Sequence, residues 1–456
     1  VGVAFGIVGY GAYLPVHRLE FADLAATLGT GSAKGSRVVA AFDEDATTMG
    51  VEAARRIVDG PIDALWFATT SPPYAEKTNA AAVHAALGAS GEGFAVDLAG
   101  SSRSGTGALR AAAAEGGLAV CADVRVGLPG SADERESADG AAAFRFGPVA
   151  DALAVPVARA GLTGEFLDRW RQPGDLTSRQ WEERFGLEMY TPLVAEAVAR
   201  ALGEAGLAAA DHVVVSSPQA RTAATMAGKY GAQDVLPLGH AGAADLGLRL
   251  ADVLDRAGPN QTILTVSAVD GADATVWRTT ERIGSHRANV RAQLEAGRKV
   301  AYATYLTWRG LLERELPRRP EPERPAGPPA ARSTNWKFAF VGSRCDKCGF
   351  IHLPPARVCA SCRTVGQLSP ISLSDATGTV VTFTVDRLAY SPSPPVINAV
   401  VDFTGGGRSL LELADAMPDE VAIGRRVRLA FRRMYTAGGV HNYFWKARLM
   451  GESDGQ

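Results

Sequence analysis

Cys345, Cys348, Cys359 and Cys362 form two Cys-x-x-Cys knuckles in one short stretch, and Cys121 is the only other cysteine among 456 residues. Tetrahedral zinc is held by four thiolates at about 2.3 Å, and each knuckle presents two sulfurs on one side of a tight turn. Two knuckles complete a shell around a structural Zn2+, with no open position for water or substrate. Such a site organises structure and leaves chemistry to residues elsewhere. A pair of disulfides is the competing reading. Against it stand the sparse cysteine use and the expectation that no secretory signal precedes the strand-like Val-Ala-Phe-Gly-Ile-Val at residues 3–8. His352, between the knuckles, is a spare ligand, but four thiolates suffice. Cys121, in the apolar run Leu118 to Val126, is expected to be a buried strand residue.

The positioning elements must come from a chain long enough for about three domains. The formal charge of -2, with both signs interspersed, gives no footprint for nucleic acid. No apolar run approaches the roughly 18 residues a membrane span needs, so no membrane partner and a cytoplasmic location are expected. Gly9-Tyr10-Gly11 does not open a dinucleotide fingerprint, and no nicotinamide cofactor is expected.

From Gly2 to about Thr280, short β-branched runs alternate with longer Ala-rich helical patterns, the rhythm of a layered α/β domain. Strands are expected at Ala64–Thr70, Phe94–Leu98, His212–Val215, Thr262–Val266 and Ala274–Arg278, with a strand-turn-helix over Val235–Leu254. Thr191-Pro192 reads as an N-cap and first helical position, followed by an apolar face of Leu193, Val194, Ala197, Val198, Ala201 and Leu202. A helical stretch around Val300 to Glu315 leads into Pro317, Pro320, Pro322, Pro325, Pro328 and Pro329, which predict an extended linker. Beyond the knuckles, Thr377–Val385, Pro395–Phe403, Ser409–Leu413, Arg425–Phe431 and Tyr443–Leu449 read as five short strands of a small closed barrel.

Three stretches resemble hydroxymethylglutaryl-CoA synthase-like members of the thiolase superfamily over most of residues 1–285. They are Asp43-Glu44-Asp45-Ala46-Thr47-Thr48-Met49 with Val51 to Arg55, Ser71-Pro72-Pro73-Tyr74-Ala75-Glu76-Lys77, and Asp270-Gly271-Ala272-Asp273-Ala274. The part with Trp336, the Cys345–Cys362 ribbon and the following barrel resembles the zinc-ribbon and OB-fold family that accompanies thiolases and related acyl-CoA enzymes. Ribbons and barrels serve many functions, so the order of modules carries the identification. The resemblance implies an α/β chain with a duplicated αβαβα thiolase-like fold, in halves 1–155 and 156–290. A helical segment and Pro-rich linker follow at 291–335, a rubredoxin-like zinc ribbon at 336–366 and an all-β OB barrel at 367–456. It also implies a homodimer.

The family's chemistry implies an acyl group passed from CoA to a cysteine at the start of a buried helix, assisted by a histidine, an asparagine or second histidine, and a glutamate. Matched to those motifs, Ser102 stands at the cysteine, Ser216 at the histidine of His-x-Pro, His240 at the Gly-Asn turn and Thr70 at the glutamate. A serine hydroxyl needs an adjacent base, and His240 is the one imidazole at these positions. The expectation is an acyltransferase or condensing-type enzyme acting on acyl-CoA or carrier-protein thioesters. Ser102 is its nucleophile, His240 its base, and Ser216 with backbone N–H groups its oxyanion contacts. Arg221, Arg103 and Thr70 are expected to face substrate. The alternatives are a non-catalytic scaffold partnering a second thiolase-like subunit, or a retro-aldolase-type C–C lyase on a CoA thioester.

Overall fold

The computed structural model describes residues 5–31, 34–89, 91–315, 319 and 322–451; Val3, Ala4, Pro317 and Pro320 of the stretches above lie outside the described residues. Two compact units emerge. The first runs to residue 305 without 41–44 and 84–89; the second holds those two segments with everything from 306 onward.

The first unit is built on strands β1 (Gly6–Tyr13), β2 (Ala64–Thr69), β3 (Phe94–Ala99), β4 (Gly117–Asp123) and β5 (Gly140–Gly147), then β6 (Ala154–Thr163), β7 (His212–Ser216), β8 (Thr262–Ser267) and β9 (Gly271–Thr279). Their order across one nine-stranded sheet is β7-β8-β9-β6-β1-β5-β4-β2-β3. The duplication is visible in the pairing. In the first half β3 and β4 flank β2 in parallel, and β5 joins β4 to β1 antiparallel. In the second half β7 pairs β8 in parallel, and β9 joins β8 to β6 antiparallel. The halves meet through β1 and β6 at Ile7 and Ala154.

Helix α1 (Ala46–Ala54) covers one face of the first half, and α3 (Glu183–Ala205) covers the second half from outside. Between them α2 (Arg103–Glu115) and α5 (Asp245–Leu254) pack on the inner faces and on each other, which completes the αβαβα layering. Helix α1 begins where Asp45 and Thr48 exchange bonds: Asp45 Oδ1 accepts from Thr48 N at 3.0 Å and Thr48 Oγ1 accepts from Asp45 N at 2.9 Å. Strand β5 is covered by helices on both faces, and its Ala141, Ala142 and Ala143 are fully buried, as close helix approach requires.

Three local expectations change. Val235–Leu238 forms no strand: Pro237 has no N–H for a ladder, and Val235 is exposed while Leu236 and Leu238 turn inward. The second half therefore lacks the counterpart of β3. Helix α3 begins at Glu183, eight residues ahead of the Thr191-Pro192 start, and carries Pro192 inside it. Thr191 Oγ1 donates to the Leu187 carbonyl at 2.6 Å within that turn. The first unit also continues past 290. Arg298–Lys299 pairs with His17–Arg18, and Tyr302 donates to Glu134 at 3.0 Å.

In the second unit Val341–Cys345, Ile351–His352 and Leu368–Ser372 form the ribbon sheet. Strands Thr377–Asp386, Val396–Phe403, Arg408–Ala414, Arg426–Ala437 and Val440–Leu449 close into a barrel. Pro328 and Pro329 start a short helix, Gly327–Arg332, instead of continuing an extended spacer, because a proline's missing N–H costs nothing in a first turn. Two fully buried cations, Arg432 and Lys446, are neutralised inside this unit by Glu44 with Asp415 and by Asp43 with Glu412.

Candidate functional site

Strand β4 ends on Asp123, which is fully buried. Its carboxylate accepts from Thr69 Oγ1 at 2.9 Å, Thr70 N at 2.7 Å, Thr70 Oγ1 at 2.9 Å, Ser71 N at 3.0 Å, Ser71 Oγ at 2.9 Å and Ala243 N at 2.6 Å. One side chain thereby fixes the end of β2 and the loop ahead of α5. That loop comes so close that a Cβ on Gly242 (φ +59°) would lie 1.9 Å from Asp123 Oδ2, and one on Gly105 of α2 would lie 2.1 Å from the Ala243 carbonyl.

Ser102 caps the start of α2, and its side chain makes no capping bond. It lines a cavity of about 510 Å3 together with Thr70, Ser71, Arg125, Asp168 and Arg171. Thr70 reaches this cavity as expected, but its hydroxyl is engaged on both sides, donating to Asp123 and accepting from Arg125 Nη1 at 3.1 Å. The N–H groups after Ser102 serve the turn itself: Arg103 N donates to Ser101 Oγ at 3.3 Å and Ser104 N to the Ser101 carbonyl at 3.0 Å.

His240 lies on a second, largely apolar cavity of about 500 Å3, lined also by Val215, Leu236 and Val253; Pro218 borders both cavities. No hydrogen bond joins Ser102 to His240 among the described residues. Backbone bonds from His240 N to the Glu136 carbonyl at 2.7 Å and from Ala138 N to the His240 carbonyl at 3.1 Å fix the turn. Gly242 N donates to His240 Nδ1 at 3.3 Å, which leaves the ring proton on Nε2, and that atom is buried with no partner. Burial, reinforced by Arg125, Arg169 and Arg249 and opposed by Asp245, pushes the imidazole down to about 3. Ser216 joins this group. It is buried and, against the burial that raises the Asp245 carboxyl, helps hold it below its usual range, behind Arg249 and His240; that carboxylate accepts from Ala241 N at 3.1 Å and Arg249 Nε at 2.9 Å.

Arg103 serves the fold. Nε and Nη2 pair with Asp273 at 2.7 and 3.3 Å, Nη1 donates to the Asp270 carbonyl at 2.7 Å and Thr163 Oγ1 at 3.2 Å, and Nη2 donates to the Leu162 carbonyl at 3.0 Å. All five N–H donors of the guanidinium are used, which leaves none for a phosphate. Arg221 is exposed on α4 (Ala220–Lys229) and borders neither cavity.

The cysteines converge in the second unit. The sulfurs of Cys345, Cys348, Cys359 and Cys362 all lie within 4.8 Å of one another. Cys345 to Cys362 is 3.6 Å and Cys348 to Cys359 is 3.5 Å. Those distances exclude S–S bonds near 2.05 Å and match the roughly 3.7 Å edge of a tetrahedron of thiolates around zinc. Cys362 N donates to Cys359 Sγ at 3.5 Å, as a knuckle holding a charged sulfur requires. His352 is outside this group, packed on Phe350.

Residues 338–365 match the family described as "ChsH2, rubredoxin-like zinc ribbon domain", and residues 371–432 match "ChsH2, C-terminal OB-fold domain". The chain is 31% identical over 337 residues to the hydroxymethylglutaryl-CoA synthase of Methanosphaera stadtmanae, an alignment covering 66% of this chain and 96% of the relative. The chain belongs to the hydroxymethylglutaryl-CoA synthase family. Among solved structures, an HMG-CoA synthase complexed with CoA superposes with a TM-score of 0.60 at 17% identity, covering 69% of this chain and 91% of that one. The HMG synthase of the curacin biosynthetic pathway, in complex with acetyl donor-ACP, gives a TM-score of 0.57 at 17% identity, covering 67% and 88%. These likenesses place the thiolase-like fold on the first unit.

Of the positions assigned from sequence, Ser102 and Thr70 line one cavity and His240 lines the other, while Ser216 lines neither. Sequence reasoning missed Asp123, Arg125 and Asp168, which no motif marks. Asp168 opens the segment 168–180, in which Arg169–Trp170 and Arg179–Gln180 pair as a short hairpin that brings Arg171 to the cavity. The legible hint was weak: a lone acid and a lone arginine just after the apolar run of β4.

Proposed function

We propose that this chain binds acyl thioesters of CoA or of a carrier protein in the Ser102 cavity and transfers or condenses the acyl group, with Ser102 in place of the usual cysteine. The observation that carries the reading is the setting of Ser102. It stands at the start of a 13-residue helix buried between the two halves, its hydroxyl has no partner among the described residues, and it opens into a cavity of ligand size. A helix N-terminus favours the charge that develops on an oxygen near it. The HMG synthases solved with CoA and with acetyl donor-ACP support a thioester on either carrier.

His240 is a poor base for this step. A neutral ring with its proton on a buried Nε2 donates a hydrogen bond, and an imidazole pushed to about 3 takes a proton from serine weakly. Among the described residues no base lies within bonding distance of Ser102, which favours a second reading, in which the cavity holds a thioester without acylation, as a scaffold beside a second thiolase-like chain or as a retro-aldolase-type lyase. A homodimer is part of the proposal. It is supported by β3, which ends the sheet as an edge strand with Phe94 57% exposed.

Intact mass spectrometry after incubation with a panel of acyl-CoA and acyl-carrier-protein thioesters tests the covalent step. The expected mass gain of one acyl group disappears in Ser102→Ala. Thioester binding without any adduct, in the wild type and in Ser102→Ala alike, selects the second reading.

A further inference from the structure

Arg125 is a cation left unanswered at the wall of the Ser102 cavity. Its side chain makes one hydrogen bond, from Nη1 to Thr70 Oγ1 at 3.1 Å; its Nε is buried without a partner, and no carboxylate lies within ion-pair distance of it among the described residues. The other arginines near the site are used differently. Arg169 is bidentate to Asp133 at 2.7 and 2.7 Å, and Arg103 spends every donor inside the protein. Arg171 donates to the Thr70 carbonyl and pairs with no acid among the described residues.

The chain has acids at hand that it does not use for this purpose. Asp168, Asp175 and Asp270 line the same cavity, yet none pairs with Arg125. Asp168 Oδ2 accepts from Tyr190 at 3.0 Å and from Gln219 Nε2 at 2.9 Å, and burial raises its carboxyl above the usual range. Asp123 is near enough to feel Arg125, but its oxygens already take six donors. Burial first, then Arg169, pushes Arg125 down to about 10 against the opposing pull of Asp123 and Asp133, so it remains charged at neutral pH. Arg125 is half-buried with its Nε shut away from water, and an arriving oxyanion supplies the partner that no carboxylate of the described residues provides. A planar guanidinium with free donors fits a carboxylate in bidentate fashion.

We propose that Arg125, aided by Arg171, receives a free carboxylate at the far end of the substrate's acyl group, so that this cavity selects thioesters of dicarboxylic acids over unsubstituted acyl thioesters. The proposal rests on the reading that the Ser102 cavity binds acyl thioesters. Thr70 links the two ends of such a ligand's site, because it borders the cavity with Ser102 and holds Arg125 Nη1 by its hydroxyl. The phosphates of CoA are a second source of oxyanion, and ligands without them separate the two.

The test compares succinyl and butyryl thioesters, which match in chain length, each on CoA and on pantetheine, by calorimetric titration of the full chain. The wild type is expected to bind the succinyl form about tenfold or more tighter on both carriers, the size of one charge-assisted contact. Arg125→Met should erase that preference and leave butyryl binding within about twofold, while Arg125→Lys retains part of it. Equal binding of succinyl and butyryl by the wild type overturns the proposal whatever the variants do. So does an Arg125→Met variant that weakens both CoA ligands and neither pantetheine ligand, since that assigns Arg125 to phosphate. If butyryl-CoA binds and no selectivity appears, only this inference falls; if no thioester binds at all, the proposed function falls with it.

Discussion

Asp123 Oδ2 accepts from Ala243 N at 2.6 Å, joining the last residue of β4 in the first half to the loop that begins α5 in the second. The same carboxylate holds Thr70 and Ser71 at the end of β2, so the two walls on which Ser102 and His240 stand are referred to one fully buried anion. Asp123→Asn places an amide among six donors, where its NH2 group meets N–H and O–H instead of an acceptor. A loss of about 2–4 kcal/mol is expected in denaturant unfolding. Gly242→Ala, with its Cβ driven against Oδ2, should lose at least as much.

Arg103 and Asp273 give a prediction that separates structure from binding. Among the described residues, Arg103→Ala leaves Asp273 with only the 3.4 Å contact from Arg110 Nη1 and the Asp270 carbonyl with only Gly164 N at 3.5 Å, removes a donor from the Leu162 carbonyl, and should cost about 2–3 kcal/mol. Thioester affinity, read by titration at a temperature where the variant is folded, should stay within about twofold of wild type. A tenfold loss of affinity with unchanged stability would return Arg103 to the ligand.

Much of this was legible beforehand where one residue type or one period dominates. Four cysteines in two knuckles predict one cluster of sulfurs, and the fold brings them within 4.8 Å of one another; the five strands expected from Thr377 to Leu449 all form and close into a barrel, the fourth running on to Ala437. Ser102 at the start of a helix was readable from its own motif. The grouping of the site was not, because it depends on where Asp123 pulls the 242–244 loop and on Pro218, which stands between the cavities. The strand expected at Val235 failed because β-branched residues alone do not form an edge when Pro237 removes a ladder donor. Arg125 was invisible because its meaning lies in the partners it lacks, which only packing reveals.

The cysteine geometry predicts one zinc per chain by elemental analysis of the purified protein. Cys359 is fully buried and donates structure through its knuckle, so Cys359→Ala should abolish metal retention. Chelation of the wild type should open the ribbon around residues 341–372 to limited proteolysis, and restored zinc should close it. Full occupancy of the ribbon by a disulfide pair, detected as a loss of four titratable thiols under denaturing, metal-free conditions, would contradict the shell.

His240 gives the pH prediction, and its sign follows from burial. The imidazole is pushed down to about 3 in the folded chain, whereas an unfolded histidine titrates near 6.5. Between those values the unfolded chain binds more protons than the folded one, so stability rises with pH across that window and is lost as pH falls from about 6.5 toward 3. The contribution is complete above about pH 6.5 and amounts to a few kcal/mol at most. Unfolding free energies measured at pH 5 and pH 7.5 should therefore differ more in the wild type than in His240→Gln, whose amide has no proton to gain. Nitrogen NMR of the His240 ring should report the neutral form with its proton on Nε2 throughout that range. A ring that titrates near 6.5 in the folded protein would restore His240 as a candidate base.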